Sequence, residues 1–264
     1  MGRFVDQFFL QITGPEKVAQ NAADDASADA PKLVFLHGAM GYALNWRRVA
    51  KAFEDRFQVL AYDSRGHGRS SHADLLTDPN AYTPESQAED LKKILDDLGW
   101  RKVNLVGHSM GGRVAYTFAA RYPERTESLV IEDIGPNMSP VTSSTVTRVL
   151  GAVPVPFANK RAAKEWFDTE FPVLFQDLAN PQGLAAWLYA NITEDDQGRG
   201  IWRFHVEGII EVVKAGHTVE RWSEIERVKC PTLLIRGELS KDLPRPVFEK
   251  MLALNPRFKG VEIK

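Results

Sequence analysis

Short apolar runs alternate along this chain with longer stretches whose apolar residues fall three or four positions apart. Leu33–Leu36, Gln58–Tyr62, Val103–Val106, Leu129–Ile134 and Thr232–Ile235 are runs of the first kind, and Gly260–Lys264 begins another. Runs of this length and composition predict strands buried on both faces. The mixed, β-forming stretch Phe4–Ile12 predicts one more strand ahead of them, and the Ala/Asp-rich residues 18–30 predict a solvated loop. Helical spacing follows in Asn45–Phe57, in Pro84–Leu98 with Leu91, Ile94, Leu95 and Leu98 on one face, in Gly111–Arg121 and in Val247–Leu254. Strands alternating with helices specify βαβ units, hence an α/β chain built on a mostly parallel, doubly wound sheet.

One segment breaks the alternation. From 136 to 222 there is no parallel-strand pattern, only helical spacing punctuated by Pro154, Pro156, Pro172 and Pro181. It holds four of the six tryptophans, Trp166, Trp187, Trp202 and Trp222. A helical insert between strands predicts a cap over the carboxyl edge of the sheet, where ligands bind in open α/β folds. The expected organisation is a core in 1–135, a cap in 136–222 and the rest of the core in 223–264.

Composition narrows the function classes. A chain of 264 residues with net charge −2 carries no global pull toward nucleic acid or an anionic membrane. No apolar run nears the roughly 20 residues of a spanning helix, and the N-terminus lacks the pattern of an export signal. A single cysteine, Cys230, forms no disulfide within the chain, so a cytoplasmic protein is expected. No metal-ligand spacing and no phosphate-binding glycine loop is present, so no metal and no cofactor are expected. Nothing in the sequence indicates an oligomeric state.

The chemistry concentrates in two short motifs. Gly107-His108-Ser109-Met110-Gly111 follows the strand Val103–Val106 and opens a helix. A strand turning straight into a helix forces its serine into strained backbone and tolerates little beside it, hence the glycines. The turn lifts the Ser109 hydroxyl above the sheet, beside the first amides of the helix. His37-Gly38-Ala39-Met40-Gly41 follows the strand Leu33–Leu36. In this architecture the N–H groups of Met110 and Ala39 are the expected oxyanion-hole donors, each contributing about 3 kcal/mol to the transition state. His37 is expected to hold its loop and take no part in proton transfer.

Together these motifs resemble the α/β-hydrolase superfamily, in particular small bacterial esterases and haloperoxidase-like serine hydrolases. Asp63-Ser64-Arg65-Gly66-His67-Gly68-Arg69-Ser70 matches a further stretch of that branch, which there organises loops. The resemblance implies a triad in the order serine, acid, histidine. Of the two acid positions that superfamily uses, Asp133 at the end of Leu129–Ile134 is preferred and Asp242 is the alternative, because Lys241 fills the usual aspartate slot. The resemblance places the histidine base on the loop after the last strand. None of the six histidines lies there, and His217, in Ala215-Gly216-His217-Thr218, precedes the strand Thr232–Ile235. The expectation is therefore a natural polypeptide that continues past Lys264 with a Gly-His loop and a closing helix.

The expected function is hydrolysis of a small-molecule carboxylic ester or thioester through an acyl-enzyme on Ser109, with Trp166 and Trp187 lining the acyl pocket. A carbon–carbon bond hydrolase or a perhydrolase uses the same motifs. A hydrolase-fold binding protein without a base is the alternative outside enzymes.

Overall fold

The computed structural model describes residues 2–19, 27–137 and 139–264. The expected first strand is a hairpin, β1 (Gly2–Val5) paired antiparallel with β2 (Phe8–Thr13). Asp6, at φ 50°, makes the turn, since Asp tolerates left-handed backbone better than most residues. Within the expected loop, β3 (Lys17–Ala19) pairs antiparallel with β4 (Ser27–Asp29); positions 20–26 lie outside the described residues. Next come β5 (Lys32–Leu36) and β6 (Gln58–Tyr62), both buried along almost their whole length. The helix expected over Asn45–Phe57 is shorter, a single turn α1 (Arg47–Ala50) between two 3₁₀ turns. Its aromatic face still packs on the sheet, with Trp46 and Phe53 centred 4.9 and 6.1 Å from the Phe35 ring.

The remaining core elements follow the pattern of the sequence. They are α2 (Pro84–Asp97), β7 (Val103–His108), α3 (Met110–Arg121) and β8 (Thr126–Glu132). After a long insert come α8 (Trp222–Arg227), β11 (Thr232–Gly237), α9 (Arg245–Leu254) and β12 (Phe258–Ile263). The eight-stranded sheet runs β1-β2-β6-β5-β7-β8-β11-β12 and is parallel from β6 onward. Leu91, Ile94 and Leu95 of α2 and Val114, Tyr116 and Phe118 of α3 cover one face and form the main core with it. Burial of such side chains contributes about 1.5–3 kcal/mol each, which fixes the register of every strand.

The insert contains α4 (Pro140–Ala152), α5 (Lys160–Leu174), α6 (Pro181–Tyr189), α7 (Val206–Thr218) and a small antiparallel pair, β9 (Ile192–Glu194) with β10 (Gly200–Trp202). It buries a separate apolar cluster of Phe157, Phe167, Phe171, Phe175, Trp202 and Phe204, which Met40 joins from the β5 loop. Trp222 is different. It opens α8 and packs with Ile225 against the main core.

Candidate active site

The β7–α3 junction builds the centre of the site. Ser109 has φ 52° and ψ −119°, and its N–H donates to Glu132 O on β8 at 3.0 Å. An L-residue in this conformation is strained and persists only where its surroundings over-determine it. Here the surroundings are two glycines that admit no side chain. A Cβ on Gly107 would lie 2.3 Å from Gly111 O, and one on Gly111 would lie 2.3 Å from Leu36 O.

Ser109 faces a cavity of about 220 Å³. Ala39, Met40 and Met110 line it beside the serine; Tyr82, Pro84, Gln87, Arg113, Ile134 and Asp242 complete its lower wall. From the insert come Val146, Leu184, Val212 and Val213. Ser109, Ala39, Met110 and Asp242 are thus brought together, while Asp133 is not among the lining residues. Asp133 has φ 54°, and its carboxylate accepts from Gly237 N–H at 3.2 Å and Ser240 Oγ–H at 2.9 Å. Asp242 is driven by burial, with Asp133 adding to the effect and Arg113 opposing it, to a pKa of about 6.

No histidine lines the cavity. His37 is buried, accepts from Ser64 N–H at Nε2 (3.0 Å), and therefore carries its proton on Nδ1, donated to Gly38 O at 2.8 Å. Burial lowers its pKa to about 4, so it is a neutral brace for its loop. His67 packs 4.9 Å from it, and burial lowers its pKa to about 3. His108 points into a separate hollow with Trp187 and Trp46, and His217 is exposed in the last turn of α7. Around them, Asp63 accepts the N–H groups of Ala43 (2.7 Å) and Arg69 (2.9 Å), and Arg65 grips Asp90 through two bonds of 2.6 and 2.5 Å.

The two tryptophans expected at the acyl pocket do not line this cavity. Trp166 packs among Phe157, Phe167 and Phe171 inside the insert, and Trp187 borders the hollow beside His108. Both are partly buried against the aromatic cluster of the insert, and smaller aliphatic side chains take the cavity wall instead.

A family model described as the alpha/beta hydrolase fold matches residues 31–179. The chain belongs to the α/β-hydrolase family. This α/β-hydrolase is 30% identical, over 189 residues, to an sn-1-specific diacylglycerol lipase of Danio rerio, covering 70% of this chain and 56% of the lipase. It is 28% identical to a putative esterase/lipase of Haemophilus influenzae, covering 86% and 73%. The chain therefore spans between about half and three quarters of the length of these two relatives. Among solved structures, a marine microorganism esterase superposes with a TM-score of 0.74 at 26% identity, covering 97% of this chain and 90% of the esterase. E-2-(acetamidomethylene)succinate hydrolase shares the fold, with a TM-score of 0.79 at 21% identity and coverage of 100% and 90%.

Sequence reasoning alone missed Tyr82, Gln87, Arg113, Val146, Leu184, Val212 and Val213 as cavity residues. Only Arg113 carried a readable signal, being a charged side chain four positions after Ser109 in the otherwise apolar start of α3. Gln87, Val146, Leu184, Val212 and Val213 are ordinary members of helical faces until the chain is folded, and Tyr82 lies in the turn before α2.

Proposed function

We propose that this α/β-hydrolase cleaves small-molecule carboxylic esters or thioesters through an acyl-enzyme on Ser109. The observation that carries the reading is Ser109 itself, strained at a glycine-flanked strand–helix turn and open to a cavity shared with Ala39 and Met110. The hydroxyl oxygen attacks the ester carbonyl, and the N–H groups of Ala39 and Met110 take the oxyanion. The alcohol or thiol leaves with a proton, and water then releases the acid. Asp133, clamped by Gly237 and Ser240, is the acid that orients the acceptor of the hydroxyl proton on this reading. Residues 136–222 act as a cap whose Val146, Leu184, Val212 and Val213 make the acyl pocket apolar and of modest size. Relatives named lipase and esterase/lipase support ester chemistry. The buried, unpaired thiol of Cys230 supports a cytoplasmic setting; among the described residues no helix is long and apolar enough to cross a membrane.

A second reading, ligand binding without turnover, is favoured by one observation: no histidine lines the cavity. Labelling with a fluorophosphonate, with and without added imidazole, separates the two. Covalent label on Ser109 by peptide mass analysis, accelerated by imidazole, supports the hydrolase. A serine that stays unlabelled even with imidazole leaves the binding protein.

A further inference from the structure

Four arginines are buried among the described residues: Arg65, Arg113, Arg221 and Arg236. Three hold carboxylates, Arg65 on Asp90, Arg221 on Glu85 and Glu224, and Arg236 on Glu262. Arg113 has no ion pair. Its Nη2 donates one long bond, 3.4 Å, to Gly135 O, the guanidinium also acts on the Tyr116 hydroxyl, and its fully buried Nε has no acceptor. A guanidinium left this way is costly, because desolvation is offset only when a counter-charge and good hydrogen bonds replace water. Arg113 is also the arginine that lines the cavity with Ser109. Gln87 lines the same cavity; its amide donates to Tyr82 O at 3.1 Å, while its buried Oε1 has no partner. Asp242 shares the wall within electrostatic reach of Arg113 but makes no ion pair with it, and burial beside Asp133 raises its pKa to about 6.

We infer that Arg113 binds a carboxylate carried on the acyl portion of the substrate, so that half-esters or half-thioesters of short dicarboxylic acids are preferred. The inference rests on Ser109 as the nucleophile. Arg113 lies four residues beyond it on α3, a rise of about 6 Å. A carbonyl held at Ser109 and a carboxylate held at Arg113 are therefore separated by only a few carbons. The planar guanidinium takes both carboxylate oxygens, which a lysine does not reproduce. The cavity, about 220 Å³, accommodates such an acid and little more.

The test compares monomethyl glutarate with methyl valerate, which differ by a carboxylate in place of a methyl group, by NMR-monitored hydrolysis. The wild-type kcat/KM ratio should favour the half-ester at least tenfold. Arg113→Gln should lower that ratio by about 10- to 100-fold, chiefly through KM, and Arg113→Lys should restore part of it. A wild-type ratio at or below one, or a ratio unmoved in Arg113→Gln, overturns the inference. If Arg113→Gln does not fold by circular dichroism, the wild-type ratio decides alone. Calorimetry on Ser109→Ala separates this claim from the hydrolase reading. Binding of monomethyl but not dimethyl glutarate, abolished in Ser109→Ala/Arg113→Gln, upholds the carboxylate site even if no ester is turned over. Equal binding of both, or binding of neither, overturns it.

Discussion

The cavity has a floor and a roof of different character. The floor is made by loops at the ends of β5, β7 and β8, where backbone geometry is unusual and side chains are braced. Ser109 and Asp133 both sit at positive φ, and His37 is locked in one tautomer by Ser64 and Gly38. The roof is made by aliphatic side chains on helices of the insert, in regular conformation, over an aromatic cluster that packs for its own sake. Under the proposed function, the floor carries the chemistry and the roof the selectivity. Strain is spent on the floor, where a displacement of about 1 Å costs orders of magnitude in rate. On the same reading the roof contributes shape, through Val146, Leu184, Val212 and Val213.

The floor is probed most directly by Ser109→Ala. Ester turnover should fall by several orders of magnitude, to the residual ~10³–10⁴ over water that binding and oxyanion donors supply. Full activity in a steady-state assay would remove Ser109 from the chemistry. Asp133→Asn comes next, with a loss of about 10²- to 10⁴-fold in kcat and a changed pH–rate profile, because the positioning carboxylate sets the state of the base. If Asp242→Asn is the damaging change and Asp133→Asn is mild, the acid has been assigned to the wrong aspartate.

The bracing of the floor is tested by acid. His37 and His67 are held below their ordinary value of 6.5, at about 4 and about 3. A depressed folded value means that the unfolded chain takes up protons first. Their contribution is therefore complete above pH 6.5 and is lost as pH falls toward 4 and then 3. The melting temperature should decline through that window, and less steeply in His67→Gln measured against its own value at pH 7.5. Identical slopes would mean that other groups carry the acid limb.

The smallest expected effect concerns the roof. Leu184→Ala should shift preference along a series of acetate to octanoate esters by about 3- to 10-fold toward longer chains, about 1 kcal/mol, the lower end of what a methylene in an apolar pocket is worth. Trp166→Ala should lower stability and leave that preference in place, because the ring packs within the insert and not on the cavity. A reversal of these two outcomes would return the tryptophan to the acyl pocket.

The sequence alone determined the parallel sheet, the two glycine-bearing loops and the position of Ser109. It could do so because each depends on local physics: apolar runs too short for helices, and turns that admit no Cβ at Gly107 or Gly111. The hairpin at Asp6 and the shortened helix near Trp46 escaped it for the converse reason. At Asp6 the pairing of β1 with β2, and of β2 with β6, decided where the chain turned, and near Trp46 the helical spacing did not distinguish 3₁₀ turns from an α-helix. The tertiary structure alone decided which side chains wall the cavity. Leu184 and Trp187 are three residues apart on α6, yet one reaches the cavity with Ser109 and the other faces a separate hollow. Helical spacing specifies that a face is buried, and the partner that covers it is chosen by the packing of the whole insert on the sheet. Arg113 combines both kinds of information. Its place one turn beyond Ser109 was written in the chain, but its lack of a carboxylate partner became visible only when the other three buried arginines were seen to have theirs.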